Sequence, residues 1–432
     1  MCTCSRKVPV RLVAAALVVL FADAGRVCGG GQIDPMPGGI ASAWPPVPSA
    51  AAPDGRAAAG MSEIRDALEE RGVAFHLFVN DQYQAVVNDG ADASGSGRNS
   101  ASMDAFLTFD LDKLEIINDA DVLLHVQSNW GAGINARTGS RLEVNDDADG
   151  DLGLHVAQLW YRQHFWERRI ALTVGFLDYQ TIVDRNAFAN SEDKQFMSQA
   201  LDNNPLVPLN IGLGASVAFR PAEWYALTVG VGDAQSVLYK PGFSTAFHDE
   251  NRWFAYAEQT VHVTIPSKPG PCEGNYRVGV VFDPRPRANV TRNDRSLDGD
   301  DYGAYASMDQ MVYRESSADG QGLGVFARLG YRTPETNAMG RFASAGFTYQ
   351  GIVPGRNDDV LGFGMAMPRT SNDYRRRVRS SADKELIYEL FYAVQVAKYL
   401  VVTMDVQYLD NPGTDGAIES GIVAGVRARF SF

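Results

Sequence analysis

Cysteine is scarce in this chain: Cys2, Cys4, Cys28 and Cys272 are the only 4 in 432 residues. The first two fall in the leader described below, and the remaining two cannot build a structural zinc cluster. Basic residues are also in deficit, with 39 Lys and Arg against 52 Asp and Glu and a net charge of −13. The one dense basic run is Arg375, Arg376, Arg377 and Arg379. A nucleic-acid surface needs clustered cations to release counterions, so nucleic acid is excluded as a partner. Long apolar runs are missing too. Beyond the first two dozen residues nothing approaches the ~20 residues of a membrane-spanning helix, so a chain of this kind that spans a membrane does so with strands. Of the 6 histidines, His125 and His155 stand apart, and no nucleophile, histidine and acid set or paired-histidine metal motif is present. No cofactor or catalytic group is expected. With 45% hydrophobic residues the chain is not disordered, and its 42 Gly and 20 Pro lack the period of collagen.

What is present begins with an address. Arg6, Lys7 and Arg11 precede an apolar stretch from Leu12 to Phe21, followed by Ala22-Asp23-Ala24. This is the layout of an export signal over 1–24, cleaved after Ala24. Residues 25–60 are rich in Ala, Pro and Gly and read as a flexible leader. In 61–71, Ile64 and Leu68 follow Ser62 at helical spacing, which predicts one short helix at the head of a domain over 61–432.

From Gly72 the apolar period becomes two. Leu386, Tyr388, Leu390, Tyr392 and Val394 alternate with Glu385, Glu389 and Gln395; Leu400, Val402, Met404, Val406 and Tyr408 alternate with Thr403, Asp405 and Gln407. At the C-terminus Ile422, Ala424, Val426, Ala428, Phe430 and Phe432 share one face, opposite Gly425, Arg427 and Arg429. Such segments recur near 72–84, 101–112, 120–128, 153–165, 168–179, 210–220, 223–232, 252–265, 275–283, 301–314, 322–332, 341–352, 359–368, 384–396, 398–409 and 418–432. Each has the length of a tilted spanning strand.

The connections sort by parity. Turns of about two residues lie near 166–167, 221–222 and 397, while long connections fill 85–100, 129–152, 180–209 and 233–251. A soluble two-sheet sandwich would alternate in the same way. Long strands in this number, loop lengths that alternate, and Tyr331, Tyr392, Tyr408, Phe430 and Phe432 near strand ends favour a membrane barrel. The fold expected is all-β: a sixteen-stranded antiparallel transmembrane barrel with short periplasmic turns and long external loops. Lipid offers an edge strand no partner, so the sheet must close.

The C-terminal half carries Asp309-Gln310-Met311-Val312-Tyr313, Gly322-Leu323-Gly324-Val325-Phe326-Ala327-Arg328 and Gly346-Phe347-Thr348-Tyr349-Gln350-Gly351. Val406-Gln407-Tyr408-Leu409-Asp410-Asn411-Pro412-Gly413 follows, then Gly425-Val426-Arg427-Ala428-Arg429-Phe430-Ser431-Phe432. In this order the motifs, with Arg65, Leu68 and Gly72-Val73 and with Asn186-Ala187-Phe188-Ala189, resemble the OprB-like carbohydrate-selective porins of Gram-negative outer membranes. The resemblance implies a sixteen-stranded barrel that passes sugars, and makes Phe430 and Phe432 the signal read by the barrel-assembly machinery. The Pro/Ala-rich leader, an acidic second loop and Cys272 depart from the pattern.

With the apolar phase toward lipid, the inward phase presents Trp160, Arg162 and His164; Arg328 and Arg332; Glu385 and Glu389; Asp405 and Gln407; Arg427 and Arg429. Charges and amides hydrogen-bond sugar hydroxyls, and aromatic faces stack on a pyranose; the plainer reading is a solvated pore wall. The 180–209 connection, with Asp184, Arg185, Phe188, Glu192 and Phe196, is the expected constriction, because so many apolar residues in a loop need burial. Asn145, Asp147, Asp149, Gly150 and Asp151 imitate the opening of a calcium loop, but Val156 stands where its glutamate belongs. The arginine run, placed externally, would meet lipopolysaccharide phosphates or simply water. Parity puts Cys28 and Cys272 in the periplasm, where they form a candidate disulfide. The function expected is passive diffusion of sugars and small hydrophilic solutes through the outer membrane, as a monomer or homotrimer. The alternatives are a general or ion-selective porin, a barrel hydrolase for which no Ser and His pair can be assembled, or a plugged structural barrel. The export reading sets the first expectation: N-terminal sequencing of the protein recovered from outer membranes should begin at Gly25, and an intact Met1 there would refute it.

Overall fold

The computed structural model describes residues 65–90, 97–148, 150–207, 211–237, 240, 242–248, 251–290, 297–316, 320–378 and 383–432. The expected signal and leader, with Cys28, lie outside them, as do Asp149 and Arg379. Residues 65–70 are helical, as the spacing of 61–71 suggests. Gly72 then turns the chain at φ +94°, where a Cβ would sit 2.8 Å from the Asp110 carbonyl, so glycine alone fits.

Eighteen strands follow: β1 (Val73–Asp89), β2 (Arg98–Asp110), β3 (Ala120–Gly131), β4 (Leu152–Phe165), β5 (Ile170–Asp178), β6 (Ile211–Ala222), β7 (Tyr225–Asp233), β8 (Trp253–Ile265), β9 (Cys272–Asp283), β10 (Arg287–Ala288), β11 (Leu297–Asp298), β12 (Asp301–Arg314), β13 (Gly322–Arg332), β14 (Met339–Gln350), β15 (Val360–Thr370), β16 (Leu386–Ala397), β17 (Leu400–Asp410) and β18 (Gly421–Ser431). Sixteen of them close into one barrel, while β10 and β11 form a separate two-residue hairpin within the β9–β12 connection. Every barrel strand pairs antiparallel with its neighbours in the chain, and β1 closes on β18 from Phe78↔Ser431 to Asp89↔Gly421. The seam extends to Phe432, whose N–H donates to the Leu77 carbonyl at 2.9 Å and whose carbonyl accepts from the Leu77 N–H at 3.3 Å.

The register turns the molecule inside out. On facing strands Glu389 pairs with Gln407 and Thr403 with Arg427, and Glu389, Gln407 and Arg427 are fully buried. One residue along, Leu390 pairs with Val406 and Met404 with Val426, yet these four are 45–50% exposed. Polar groups are enclosed and apolar ones displayed, which is stable only when lipid is the outer solvent. Exposed aromatics mark the two ends of the strands, with Trp166 and Trp224 at one end and Tyr83 and Tyr302 at the other.

All sixteen segments read from the sequence coincide with barrel strands. Two details of the connections differ. The first long connection shrinks to 90–97, because β1 and β2 run further than the apolar alternation shows. The turn end is also less spare than expected. Its connections 111–119, 315–321 and 351–359 outlast 333–338 on the loop end. The last of these turns is stapled rather than loose: Asp359 accepts both Arg356 nitrogens at 2.8 Å, the Tyr392 hydroxyl at 2.7 Å and the Gln395 N–H at 3.0 Å.

Replacing Leu390 by Arg should therefore cost about 2–4 kcal/mol, since a charge would face hydrocarbon near mid-strand. The expected readout is a smaller heat-modifiable, folded fraction on electrophoresis of the refolded variant than of the wild type.

Candidate functional site: two segments inserted in the barrel

Two connections leave the rim and pack inside the barrel. The first, between β3 and β4, carries the short helix α1 (Asn135–Thr138); the second, between β5 and β6, carries α2 (Gln199–Asp202). They join each other by backbone bonds, Asp146 N–H to Met197 O at 2.9 Å and Gln199 N–H to Glu143 O at 2.9 Å. Asn135 folds the first segment on itself, its Oδ1 accepting from the N–H groups of Val144 at 2.9 Å and Asn145 at 3.1 Å.

The hydrophobic core therefore lies within the barrel. Ile134 and Val144 of the first segment and Phe196, Ala200 and Leu201 of the second pack on Phe326, Phe342, Ile387, Phe391 and Leu409 of the wall. Phe196 meets Phe326 and Phe391 edge-on, with centroids 5.5 and 5.0 Å apart. Phe188 sits over Gly324, where a Cβ would lie 2.1 Å from its ring. A second cluster forms around Tyr179, Val183 and Val207 against Phe254, Tyr256 and Tyr305. Phe188 and Phe196 thus fix the segment to the wall.

Most of the inward charges named above are not solvated pore wall, and here the sequence reading needs correction. Arg328, fully buried, donates to the Leu201 carbonyl at 2.8 Å and to that of Ala189. Arg427 donates to the carbonyls of Glu192 at 2.5 Å and Gln195 at 2.9 Å. Arg332 reaches the Leu206 carbonyl at 3.2 Å and pairs with Asp301. Glu389 accepts the N–H groups of Met197 at 2.6 Å and Ser198 at 3.0 Å. Glu385 takes those of Arg141 and Gly413, both at 3.2 Å. Gln407 binds the Val144 carbonyl at 2.8 Å and Asp405 at 3.1 Å. The physical reason is that irregular backbone enclosed in a barrel leaves N–H and C=O groups unpaired, and the wall supplies their partners.

The segment's own charges are anchored likewise. Asp184 pairs with Arg328 at 3.5 Å and its N–H donates to Glu258 at 2.7 Å. Asp193 meets Arg429 at 2.7 Å. Burial there opposes ionisation, but Arg429, Lys194 and Arg427 outweigh it and hold the Asp193 carboxyl down at about 2. Lys194 remains exposed, and Arg185 and Glu192 half-exposed.

A different stretch of wall, on β2 to β4, meets the first segment only near the ends of β2 and β3 in the bonds described, Asn145 Nδ2 to Ser100 Oγ at 3.5 Å and Asn129 Nδ2 to the Asp147 carbonyl at 3.0 Å, and further along its polar groups bond to one another. His125 Nε2 lies 2.8 Å from Asp104, its Nδ1 3.3 Å from Gln158 Nε2, and its ring stacks on Phe106 at 4.0 Å. Gln158 accepts from Trp160 Nε1 at 3.2 Å; Arg162 lies over the Trp160 ring at 4.8 Å and pairs with Asp121 at 2.7 Å. His164 stands 3.5 Å from the same Asp121. Trp160, Arg162 and His164 were legible from phase. Asp104, Phe106, Asp121 and His125 were missed, although the cross-strand pairs Phe106↔His125 and Asp121↔Arg162 would have united them.

The calcium-like run does not converge. Asp147 turns to Asn80 at 3.1 Å and Gln82 at 2.5 Å on β1, Asn145 caps the Ala148 N–H at 3.1 Å, and Asp151 caps that of Gly131 at 2.9 Å. Cys272 is buried at the start of β9. Arg375, Arg376 and Arg377 lie on a helix, α3 (Asn372–Val378), in the external connection before β16.

The anchors define a test. Glu389→Ala leaves the Met197 and Ser198 N–H groups unpaired, at about 1–3 kcal/mol each. The variant should still form a heat-modifiable barrel, but single-channel recordings should show a larger and noisier conductance, with Glu389→Gln intermediate.

With this geometry in place, the comparisons are consistent. The carbohydrate-selective porin family, OprB, matches residues 95–432. Porin B of Pseudomonas aeruginosa is 22% identical over 412 residues, spanning 85% of this chain and 89% of that protein. The high-pH structure of Pseudomonas putida OprB superposes with a TM-score of 0.75 at 18% identity, covering 86% of this chain and 97% of that one. The low-pH structure of the same protein gives 0.53 at 16% identity, covering 86% and 96%. This chain belongs to the carbohydrate-selective OprB porin family and is an integral β-barrel porin of the outer membrane.

Proposed function

We propose that neutral sugars diffuse through this channel past the second inserted segment and touch the β2–β4 strip that runs from Asp104 to His164. The observation that carries the reading is the strip itself: carboxylate, imidazole and amide groups held in one hydrogen-bonded chain that ends on Trp160, with the Arg162–Asp121 pair set over the Trp160 ring and the Phe106 ring beside His125. Such a surface offers hydroxyls both donors and acceptors, and a pyranose an apolar face.

A second feature supports sugars over ions. Several charges inside the barrel are paired: Arg162 with Asp121 at 2.7 Å, Arg277 with Asp309 at 2.5 Å, Arg429 with Asp193 at 2.7 Å. Paired charges cancel at distances beyond their separation, so they hydrogen-bond a neutral solute while exerting little net field on an ion. A general or ion-selective porin would be favoured by rows of unpaired charge of one sign. The reading involves no catalytic step.

Planar-bilayer recording with glucose and a disaccharide titrated in tests it. Sugar should block the wild-type conductance, and Arg162→Ala or Asp104→Ala should weaken that block by up to about tenfold, the loss of one charge-assisted hydrogen bond in wet surroundings. Open-channel ion conductance should change far less. No sugar block in the wild type would establish the general-porin alternative.

A further inference from the structure

Asp146, which the alternation of the acidic run skips, points away from its neighbours. One carboxylate oxygen from each of Asp146, Glu192 and Asp202 lies within 4.8 Å of the other two. The first inserted segment contributes Asp146 and the second contributes Glu192 and Asp202. Gln199 Nε2 donates to Asp146 Oδ1 at 2.9 Å, and Asn203 Nδ2 donates to both Asp146 Oδ2 at 2.9 Å and Asp202 Oδ2 at 2.8 Å. These amides orient the carboxylates without neutralising them. Asp202 Oδ1 has no hydrogen-bond partner among the described residues, although Asp202 is only 1% exposed. Arg328, the guanidinium next to the group, is committed to the Leu201 and Ala189 carbonyls and to Asp184. A carboxylate that lies against two others, and keeps an enclosed oxygen without a partner, is the arrangement that a bound cation completes.

We propose that Asp146, Glu192 and Asp202 hold a divalent cation, calcium by its all-oxygen ligand set, which fastens the two inserted segments to each other inside the barrel. Calcium takes oxygen ligands in a flexible geometry at about 2.3–2.6 Å, which suits carboxylates brought together from two separate segments. Magnesium demands near-ideal octahedral geometry and gives up its waters reluctantly. Zinc prefers nitrogen and sulfur, which this group lacks. Three carboxylates supply up to six oxygens, with water to complete the shell, and the Gln199 and Asn203 amides form the outer layer that fixes ligand orientation. The site is independent of what the channel passes. Its effect is on where the second segment stands, hence on the width of the lumen.

The test uses the full-length protein in detergent, stripped with EDTA and titrated with CaCl2 by calorimetry at neutral pH. Wild type should take up one calcium per chain. Glu192→Gln and Asp202→Asn should bind at least tenfold more weakly, and Asp415→Asn on an exposed connection should bind as wild type does. Calcium held by co-purified lipopolysaccharide would be indifferent to all three substitutions, so uptake that none of them changes overturns the proposal. Thermal unfolding provides the second readout should Asp202→Asn misfold. Calcium should raise the unfolding temperature of wild type and leave Glu192→Gln unmoved. In EDTA, Glu192→Gln should be at least as stable as wild type, because one of three repelling charges is gone. A wild type that neither binds calcium nor gains stability from it also overturns the proposal.

Discussion

A chain that leaves the rim of a barrel and runs through its interior carries backbone donors and acceptors into a space where neither helix nor sheet can pair them. Much of the wall on β13 to β18 answers that constraint. Arg328, Arg332 and Arg427 end on carbonyls of the second inserted segment, and Glu389 ends on two of its N–H groups. Gln84 and Gln407 converge on one carbonyl of the first segment, that of Val144. Guanidinium and carboxylate suit this work because one side chain satisfies two backbone groups at once, in a setting where an unmet group is costly.

The anchoring divides the lumen by function. On β13 to β18 the wall is a scaffold: its charges are buried, its rings are covered by Phe196 and Leu201, and solvent is kept out. On β2 to β4 the polar groups from Asp104 to His164 bond to one another. The apolar residues of the second segment thus serve both sides, since burying them against β13 to β18 sets how far the segment reaches toward β2 to β4. A packed segment, unlike long flexible side chains, holds a fixed place inside the barrel.

The barrel was legible because each strand is judged by its own alternation, and Leu390 beside Glu389 reads the same way whatever lies inside. The role of the inward residues was not legible for the same reason. A solvated arginine and one that holds a loop occupy the same phase, and what distinguishes Arg328 is a carbonyl at Leu201, over a hundred residues away in the chain. The burial of the 180–209 connection could be read from an excess of apolar residues that a surface loop would not tolerate. The strip around His125 could not, since its partners Asp104 and Gln158 sit on two other strands and appear only once register is known. Asp146 was passed over because the acidic run was read by its alternate members, and the residue between them is the one that meets the second segment.

The seam between β1 and β18 has a consequence for how the molecule is made. Leu77 and Phe432 stand at opposite ends of the folded chain in sequence and exchange two backbone hydrogen bonds in space. Until β18 arrives, β1 is an open edge, and every strand laid down in between lengthens a sheet that cannot yet be a cylinder. Loop closure across such a separation is slow, and an unclosed edge is the natural template for pairing with another chain. The nascent sheet must therefore be shielded along β1 for as long as synthesis and delivery of the rest take. The inserted segments, whose anchors are spread from β1 to β18, cannot settle until the ring is complete.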